Sequence, residues 1–63
     1  MAMSIKAIRV NNDLSQKEFA DKIDMPVSTF KLKEQGKSPW LFEEIVKISK
    51  LFNIDVKDIK TNN

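Results

Sequence analysis

The chain has 63 residues, with eleven basic and nine acidic side chains and neither cysteine nor histidine. This length supports one domain with one small core, and the lack of cysteine excludes disulfides and thiolate-bound zinc as sources of stability. The net charge of +2 is too small to identify a nucleic-acid-binding protein, so the placement of the charges is more informative than their sum.

The first half of the chain predicts two short helices. With one glycine, two prolines and apolar residues at helical spacing, the sequence indicates an all-α, compact domain of five short helices. Helix 1 is expected over residues 4–11, with Ser4 as its N-cap. Helix 2 is expected over residues 16–23, where Ser15 is the N-cap and Glu18 completes a capping box.

A third helix is expected directly after a tight turn at Asp24 and Met25. It is predicted over residues 26–35, because proline suits the first turn of a helix, where its missing N–H would have no partner. Gly36 is expected to end this helix in a left-handed conformation. Helices 2 and 3 therefore lie back to back with almost no connection between them.

The last third of the chain predicts two more helices. Helix 4 is expected over residues 39–52, with Ser38 as cap and Pro39 in the first turn. Its apolar stripe consists of Leu41, Ile45, Ile48 and Phe52. Helix 5 is expected over residues 56–60, capped by Asp55. The whole chain, 1–63, is predicted as one domain with a frayed tail at 61–63, and Met3 is an alternative start after Met1 and Ala2.

Several classes of chemistry are not expected. Without histidine or cysteine the chain has no common general base and no thiol nucleophile, and one glycine cannot form a phosphate-binding loop. The aspartate pairs at 21/24 and 55/58 are better explained as helix-end charges than as metal ligands. We therefore expect no enzyme, cofactor, metal or small-molecule ligand. No apolar run suits a signal peptide or a membrane span. The lack of cysteine fits a cytoplasmic protein, which is the location that we expect.

Charge and residue size make helix 3 a candidate for reading DNA. Lys31, Lys33 and Lys37 cluster around this helix, whereas the acidic side chains concentrate elsewhere. The helix is short and starts with small or polar residues. The major groove of DNA admits one α-helix, and a short, basic, small-faced helix suits it.

Five runs of sequence resemble the phage repressor/Cro-type (lambda-repressor-like, XRE-type) helix-turn-helix family. Residues 5–9 read IKAIR, 14–20 LSQKEFA, 28–30 STF, 34–36 EQG and 45–48 IVKI. The resemblance implies a sequence-specific transcriptional regulator, Cro-like or repressor-type, that binds double-stranded DNA at a near-palindromic operator through helix 3. It also implies a weak homodimer, or a dimer that forms on DNA.

The DNA contacts are predicted partly from the resemblance and partly from position, since Lys31 lies beside the family's base-reading positions and Lys33 stands where the family usually has an apolar or aromatic residue. Base contacts fall to Val27, Ser28, Lys31 and Leu32. Phosphate contacts fall to Gln16, Lys17, Thr29, Lys33, Gln35, Lys37 and Ser38. Val27 and Leu32 also fit packing against another helix or chain, and Thr29 fits a helix position without any contact. Lys33 is expected to cover the core with its aliphatic stem while its ammonium stays near DNA.

Arg9 and Glu34 are assigned a structural salt bridge by the same resemblance. A planar guanidinium can bond both oxygens of a carboxylate, and such a pair would tie helix 1 to helix 3. A phosphate contact is the competing interpretation for Arg9.

Two interpretations remain open for Trp40, the only tryptophan, and for the nearby Phe42. Trp40 fits a core or lid residue, and both side chains fit a dimer contact. A second function also remains open, namely a protein-interaction module of the antitoxin or adaptor kind that uses the surface of Val27, Leu32 and Trp40. DNA binding would depend steeply on salt, whereas an apolar protein interface would not.

Overall fold

A computed structural model describes residues 2–61, which form four α-helices. They are α1 (Ile5–Asn11), α2 (Gln16–Lys22), α3 (Val27–Glu34) and α4 (Phe42–Phe52). The prediction of a helical domain with a helix-turn-helix is confirmed, but the count of five α-helices is not. Met1, Asn62 and Asn63, and with them most of the predicted frayed tail, lie outside the described residues. None of the helices in residues 2–61 combines the length and hydropathy needed to cross a membrane.

Serine caps begin α1 and α2, as the sequence predicts. The Ser4 hydroxyl accepts a hydrogen bond from the Ala7 N–H at 3.0 Å. At α2, Ser15 Oγ accepts from the Glu18 N–H at 3.1 Å, and the Glu18 carboxylate accepts from the Ser15 N–H at 2.8 Å. The Ser15 N–H, followed by the Ser15 hydroxyl, lowers the pKa of Glu18 from its ordinary value.

Residues in the left-handed backbone conformation, with positive φ, end the helices and keep the connections between them short. Asp24, between α2 and α3, has φ of 55°, and the next residue, Met25, donates its N–H to the Ala20 carbonyl at 2.9 Å. Gly36 has φ of 81° and follows α3, where a side chain would be strained. Asn53 ends α4 with φ of 55°, a conformation that asparagine tolerates.

The start of α4 differs from the prediction, because the helix begins at Phe42 and not at Pro39. Leu41 is its extended N-cap residue, and the Leu41 N–H donates to Glu44 Oε1 at 2.8 Å. The preceding residues stay outside the helix, which lets the Trp40 ring lie edge-on against Phe30 with centroids 5.9 Å apart. Leu41 is therefore 50% exposed and leaves the predicted apolar stripe.

The predicted fifth helix is a single 3-10 turn, Val56–Asp58, followed by a short strand. That strand, β2 (Ile59–Lys60), pairs in parallel with β1 (Met3–Ser4), so that Met3 lies opposite Ile59. Ile59 is buried by this pairing, since its exposed fraction is 8%. Neither strand was predicted, because two residues are too few to show a periodicity of two.

The core consists mainly of isoleucine and phenylalanine side chains, and every helix contributes to it. Its buried members are Ile5, Ile8, Phe19, Ala20, Ile23, Phe30, Ile45, Ile48 and Ile59. The ring of Phe19 in α2 lies 5.1 Å from that of Phe30 in α3 and 5.1 Å from that of Phe52 in α4. These aromatic contacts hold α3 against α2 and leave the other side of α3 at the surface.

Candidate nucleic-acid interface

The outer face of α3 and its last turn presents four exposed side chains at helical spacing. They are Ser28, Lys31, Leu32 and Gln35. Positions i, i+3, i+4 and i+7 share one face of a helix, and the opposite face buries Phe30. Among residues 2–61, no carboxylate forms an ion pair with Lys31, so its ammonium is available to an anion or a base edge.

Two other residues predicted to contact DNA are less accessible on α3. Val27, its first residue, is half-buried and packs against the core, and Thr29 is also half-buried. Leu32 is the apolar side chain that the outer face presents most openly, with 47% of its surface exposed. A base contact by Val27 would use only the part of its side chain that remains at the surface.

The loop after α3 continues the basic surface of that helix. The Gly36 N–H donates to the Lys33 carbonyl at 3.1 Å, and the Lys37 N–H donates to the Leu32 carbonyl at 2.9 Å. These bonds close the end of α3 and fix the direction in which the chain leaves it. The Lys37 side chain is exposed, that of Ser38 is half-buried, and Lys37 has no ion-pair partner among the described residues.

The start of α2 brings a glutamine close to the end of α3. Gln16 Nε2 donates to Glu34 Oε1 at 2.7 Å, so the two helices are joined by a side-chain hydrogen bond. The next residue, Lys17, pairs with Asp21 at 3.1 Å, and both side chains are largely exposed. An exposed ion pair of this kind contributes little to the free energy of unfolding. Lys17 can therefore leave Asp21 and pair with another anion.

Arg9 and Glu34 form an ion pair between α1 and α3. Arg9 Nε lies 2.8 Å from Glu34 Oε2, and Arg9 Nη1 donates to the Leu14 carbonyl at 3.0 Å. The exposed fractions of the two side chains are 14% and 6%. Since the guanidinium already has two internal acceptors and is mostly covered, its geometry suits a structural role.

Lys33 does not occupy the place that the sequence analysis gave it. Its ammonium lies 2.6 Å and 2.8 Å from the two carboxylate oxygens of Glu44 and 5.7 Å from the centroid of the Trp40 ring. The residue is only 9% exposed. The expected phosphate contact does not fit this geometry, because the carboxylate of Glu44 draws the ammonium inward. Sequence reasoning missed Glu44, which is visible as an acidic N3 residue only once α4 is known to start at Phe42.

Trp40 and Phe42 occupy different environments although they are close in sequence. Trp40 is half-buried and contacts Phe30 and Lys33. Phe42 is 73% exposed at the first position of α4. Trp40 therefore acts as a lid over the end of α3, and Phe42 is the side chain that a second molecule can reach.

The turn of the helix-turn-helix is also tied to α4. Lys47 Nζ donates to the carboxylate of Asp24 at 2.9 Å, and this hydrogen bond, more than the accompanying charge attraction, lowers the pKa of Asp24. Both side chains are well exposed, so the contact contributes little to the free energy of unfolding.

The surface as a whole suits an anionic, extended ligand. Within residues 2–61, no group of three His, Cys, Asp or Glu side chains could hold a metal ion. What the surface offers is an exposed helix face with a serine and a lysine, a basic loop beside it, and a half-buried glutamine held at the start of the preceding helix.

This arrangement of α2 and α3 is that of a helix-turn-helix protein, and a helix-turn-helix family model matches residues 5–59. The chain belongs to the XRE-type helix-turn-helix family, which includes lambda repressor and Cro and consists of DNA-binding regulators that are generally not enzymes. Comparisons with curated proteins and with solved structures find no match.

Proposed function

We propose that this protein regulates transcription as a Cro-like or repressor-type protein that binds a near-palindromic operator, with α3 in the major groove. The observation that carries this proposal is the exposed face of α3 in a chain of this family. In helix-turn-helix proteins the second helix of the motif enters the groove and its N-terminal residues approach the base edges. Such a role puts the protein in the cytoplasm, with its DNA.

The base contacts use a small set of side chains with distinct chemistry. The Ser28 hydroxyl can donate or accept, so it can bond to either class of base. Lys31 can donate to the acceptors O6 and N7 of guanine. Leu32, with the exposed edge of Val27, offers an apolar contact to a thymine methyl group. With few hydrogen-bonding side chains on this face, operator shape and deformability supply part of the specificity.

The phosphate contacts flank this face on both sides. We assign them to Gln16, Lys17, Thr29, Gln35, Lys37 and Ser38, and we remove Lys33 from the set because Glu44 holds its ammonium. Each phosphate neutralised by a lysine lowers the logarithm of the binding constant by about 0.9 per tenfold increase in salt. Lys17 and Lys37 should therefore contribute directly to the salt dependence.

A selection of duplexes from a random DNA pool tests this function. At about 100–150 mM salt, an ionic strength that still permits specific binding, the protein should enrich a palindromic sequence. A Ser28→Ala/Lys31→Ala variant should lose the enrichment or accept more sequences. Each lost base contact is expected to cost about 1–3 kcal/mol of discrimination.

Lys57→Ala is the matched control, since it also removes one positive charge but lies in the 3-10 turn outside the helix-turn-helix. It should enrich the same sequence as the unmodified protein. If the unmodified protein enriches nothing, or if the Ser28/Lys31 variant recovers the same palindrome with equal affinity, reading of DNA by α3 is refuted.

We further propose that the protein forms a weak dimer, or dimerises on DNA, through the surface at Phe42. An exposed aromatic side chain next to an exposed Leu41 is the type of residue that interface centres favour. Two copies would then occupy half-sites about 34–36 Å apart, one turn of the double helix.

Phe42→Ser should weaken self-association and reduce affinity for a full operator while leaving affinity for an isolated half-site unchanged. Sedimentation at several protein concentrations measures the first effect, and Trp40 fluorescence on dilution reports on the same region. Leu51→Ser is the control, because Leu51 is another exposed apolar residue of α4 but lies near the other end of that helix. Equal behaviour of both variants on the full operator would argue against this interface.

The second candidate function is a protein-interaction module, which the exposure of Leu32, Leu41 and Phe42 favours. Val27 and Trp40, which the sequence analysis included in that surface, are half-buried and offer less area. A partner bound mainly through apolar contacts would show little dependence of affinity on salt, in contrast to DNA.

A further inference from the structure

Glu34 joins three helices through its two carboxylate oxygens. Oε2 accepts from Arg9 Nε at 2.8 Å, and Oε1 accepts from Gln16 Nε2 at 2.7 Å. The Glu34 side chain is 6% exposed, and Gln16 is half-buried beside it. Because Glu34 is held by Arg9 on one side, its other oxygen is a fixed acceptor for the glutamine.

The direction of the Gln16 amide decides whether it can bind DNA. A glutamine amide donates two hydrogen bonds at Nε2 and only accepts at Oε1, whereas a phosphate oxygen only accepts. A carboxylate also only accepts, so Glu34 favours the orientation in which Nε2 faces it. One N–H then binds Glu34 and the other is left for an acceptor outside the protein. The reversed amide would present its carbonyl oxygen to the phosphate and repel it.

We infer that Glu34 is a positioning residue, which holds the Gln16 amide in the orientation that donates to a DNA phosphate. Arg9 makes this possible, since its guanidinium neutralises the carboxylate that would otherwise repel the nearby phosphate. The Arg9–Glu34 pair thus serves recognition as well as the fold. This inference rests on the proposed function, because it requires that Gln16 contacts DNA.

A double-mutant cycle in DNA affinity tests the inference. Gln16→Ala should weaken binding to the selected duplex roughly 10- to 100-fold, the effect of one hydrogen bond to a charged group. The variant Arg9→Met/Glu34→Met removes both charges together, a replacement that folded proteins often tolerate. It should weaken binding by a comparable factor. The triple variant should bind no more weakly than either, because both changes remove the same contact.

Measuring the contribution of each phosphate to affinity distinguishes two explanations. Either Glu34 orients Gln16 specifically, or its loss destabilises the whole of α3. Duplexes in which one phosphate at a time is replaced by a neutral methylphosphonate should reveal a position that weakens the unmodified protein but not Gln16→Ala. The Arg9/Glu34 variant should lose sensitivity at that position and keep it elsewhere. Lys33→Met/Glu44→Met, which removes the other ion pair of α3, should keep sensitivity at every position.

Each outcome has a definite meaning. Multiplicative losses in the cycle, or an Arg9/Glu34 variant that stays sensitive at the phosphate read by Gln16, would overturn the positioning role and leave the proposed function intact. An unmodified protein with no preference for any duplex would overturn both.

Discussion

Glu34→Ala is expected to destabilise the protein by about 2–3 kcal/mol, somewhat less than the loss seen when a fully buried ion pair is broken from one side. The Arg9 side chain is only 14% exposed in the intact protein. The substitution leaves its guanidinium with the Leu14 carbonyl as its remaining acceptor, and it also removes the acceptor of Gln16. A domain of this size has a total stability of about 3–5 kcal/mol. A large part of the population should therefore unfold well below the melting temperature of the unmodified protein.

Urea unfolding followed by circular dichroism measures this effect. The matched control is Arg9→Met/Glu34→Met, which removes both charges and should retain most of the stability, since no charge remains buried without a partner. With the single variants Arg9→Met and Glu34→Met, this double variant completes a cycle for the pair. A coupling free energy near zero would show that the ion pair does not hold α1 to α3.

Glu44→Ala is expected to have the second large effect, also about 2–3 kcal/mol. It leaves the ammonium of Lys33 under the Trp40 ring with no carboxylate, and the Leu41 N–H at the start of α4 loses its acceptor. Lys33→Met should cost less, because the Glu44 carboxylate that it leaves behind is 19% exposed and still accepts the Leu41 N–H. The two members of one ion pair thus differ in the size of their effect on the free energy of unfolding.

Thermal unfolding, monitored by the fluorescence of Trp40, distinguishes the two variants directly. DNA binding gives an independent check on the position of Lys33. Lys33→Met should leave the salt dependence of binding unchanged, whereas Lys37→Met should reduce its slope by about 0.9. If both variants reduce the slope equally, Lys33 exchanges Glu44 for a phosphate in the complex, and its assignment as an internal residue is wrong.

Local signals in the sequence were enough to locate most helices. Ser4 and Ser15 are N-caps because a serine oxygen can accept an N–H of the first turn, a property that depends only on nearby residues. Gly36 and Asn53 end helices for equally local reasons, since both tolerate positive φ. The outer face of α3 was predicted by the family resemblance, and Ser28 and Leu32, which the resemblance places there, are both exposed.

Features that depend on distant residues were not predictable in the same way. Ser38 and Pro39 are suitable residues for a helix start, yet the contact of Trp40 with Phe30 and the bonding of Glu44 move the start of α4 to Phe42. The inward ammonium of Lys33 has the same origin, because its partner lies eleven residues further along the chain.

In the candidate site, too, local features were predictable from the sequence and contacts between distant residues were not. The identity of Gln16 and its place at the start of α2 follow from the sequence. Its bond to Glu34 does not, because the two residues are eighteen positions apart and lie on different helices. Family resemblance suggested Arg9 as a partner of Glu34, but the sharing of one carboxylate between Arg9 and Gln16 appears only in three dimensions.

The parallel pairing of Met3 with Ile59 has a consequence for the order of folding. These residues lie near opposite ends of the chain, so closing the loop between them requires a large loss of chain entropy. The helices contact mainly their neighbours in sequence and can associate quickly, whereas the two strands can meet only after α1 and α4 have brought the ends together. We therefore expect this two-stranded sheet, the one sheet among the described residues, to form last, after the helices have packed.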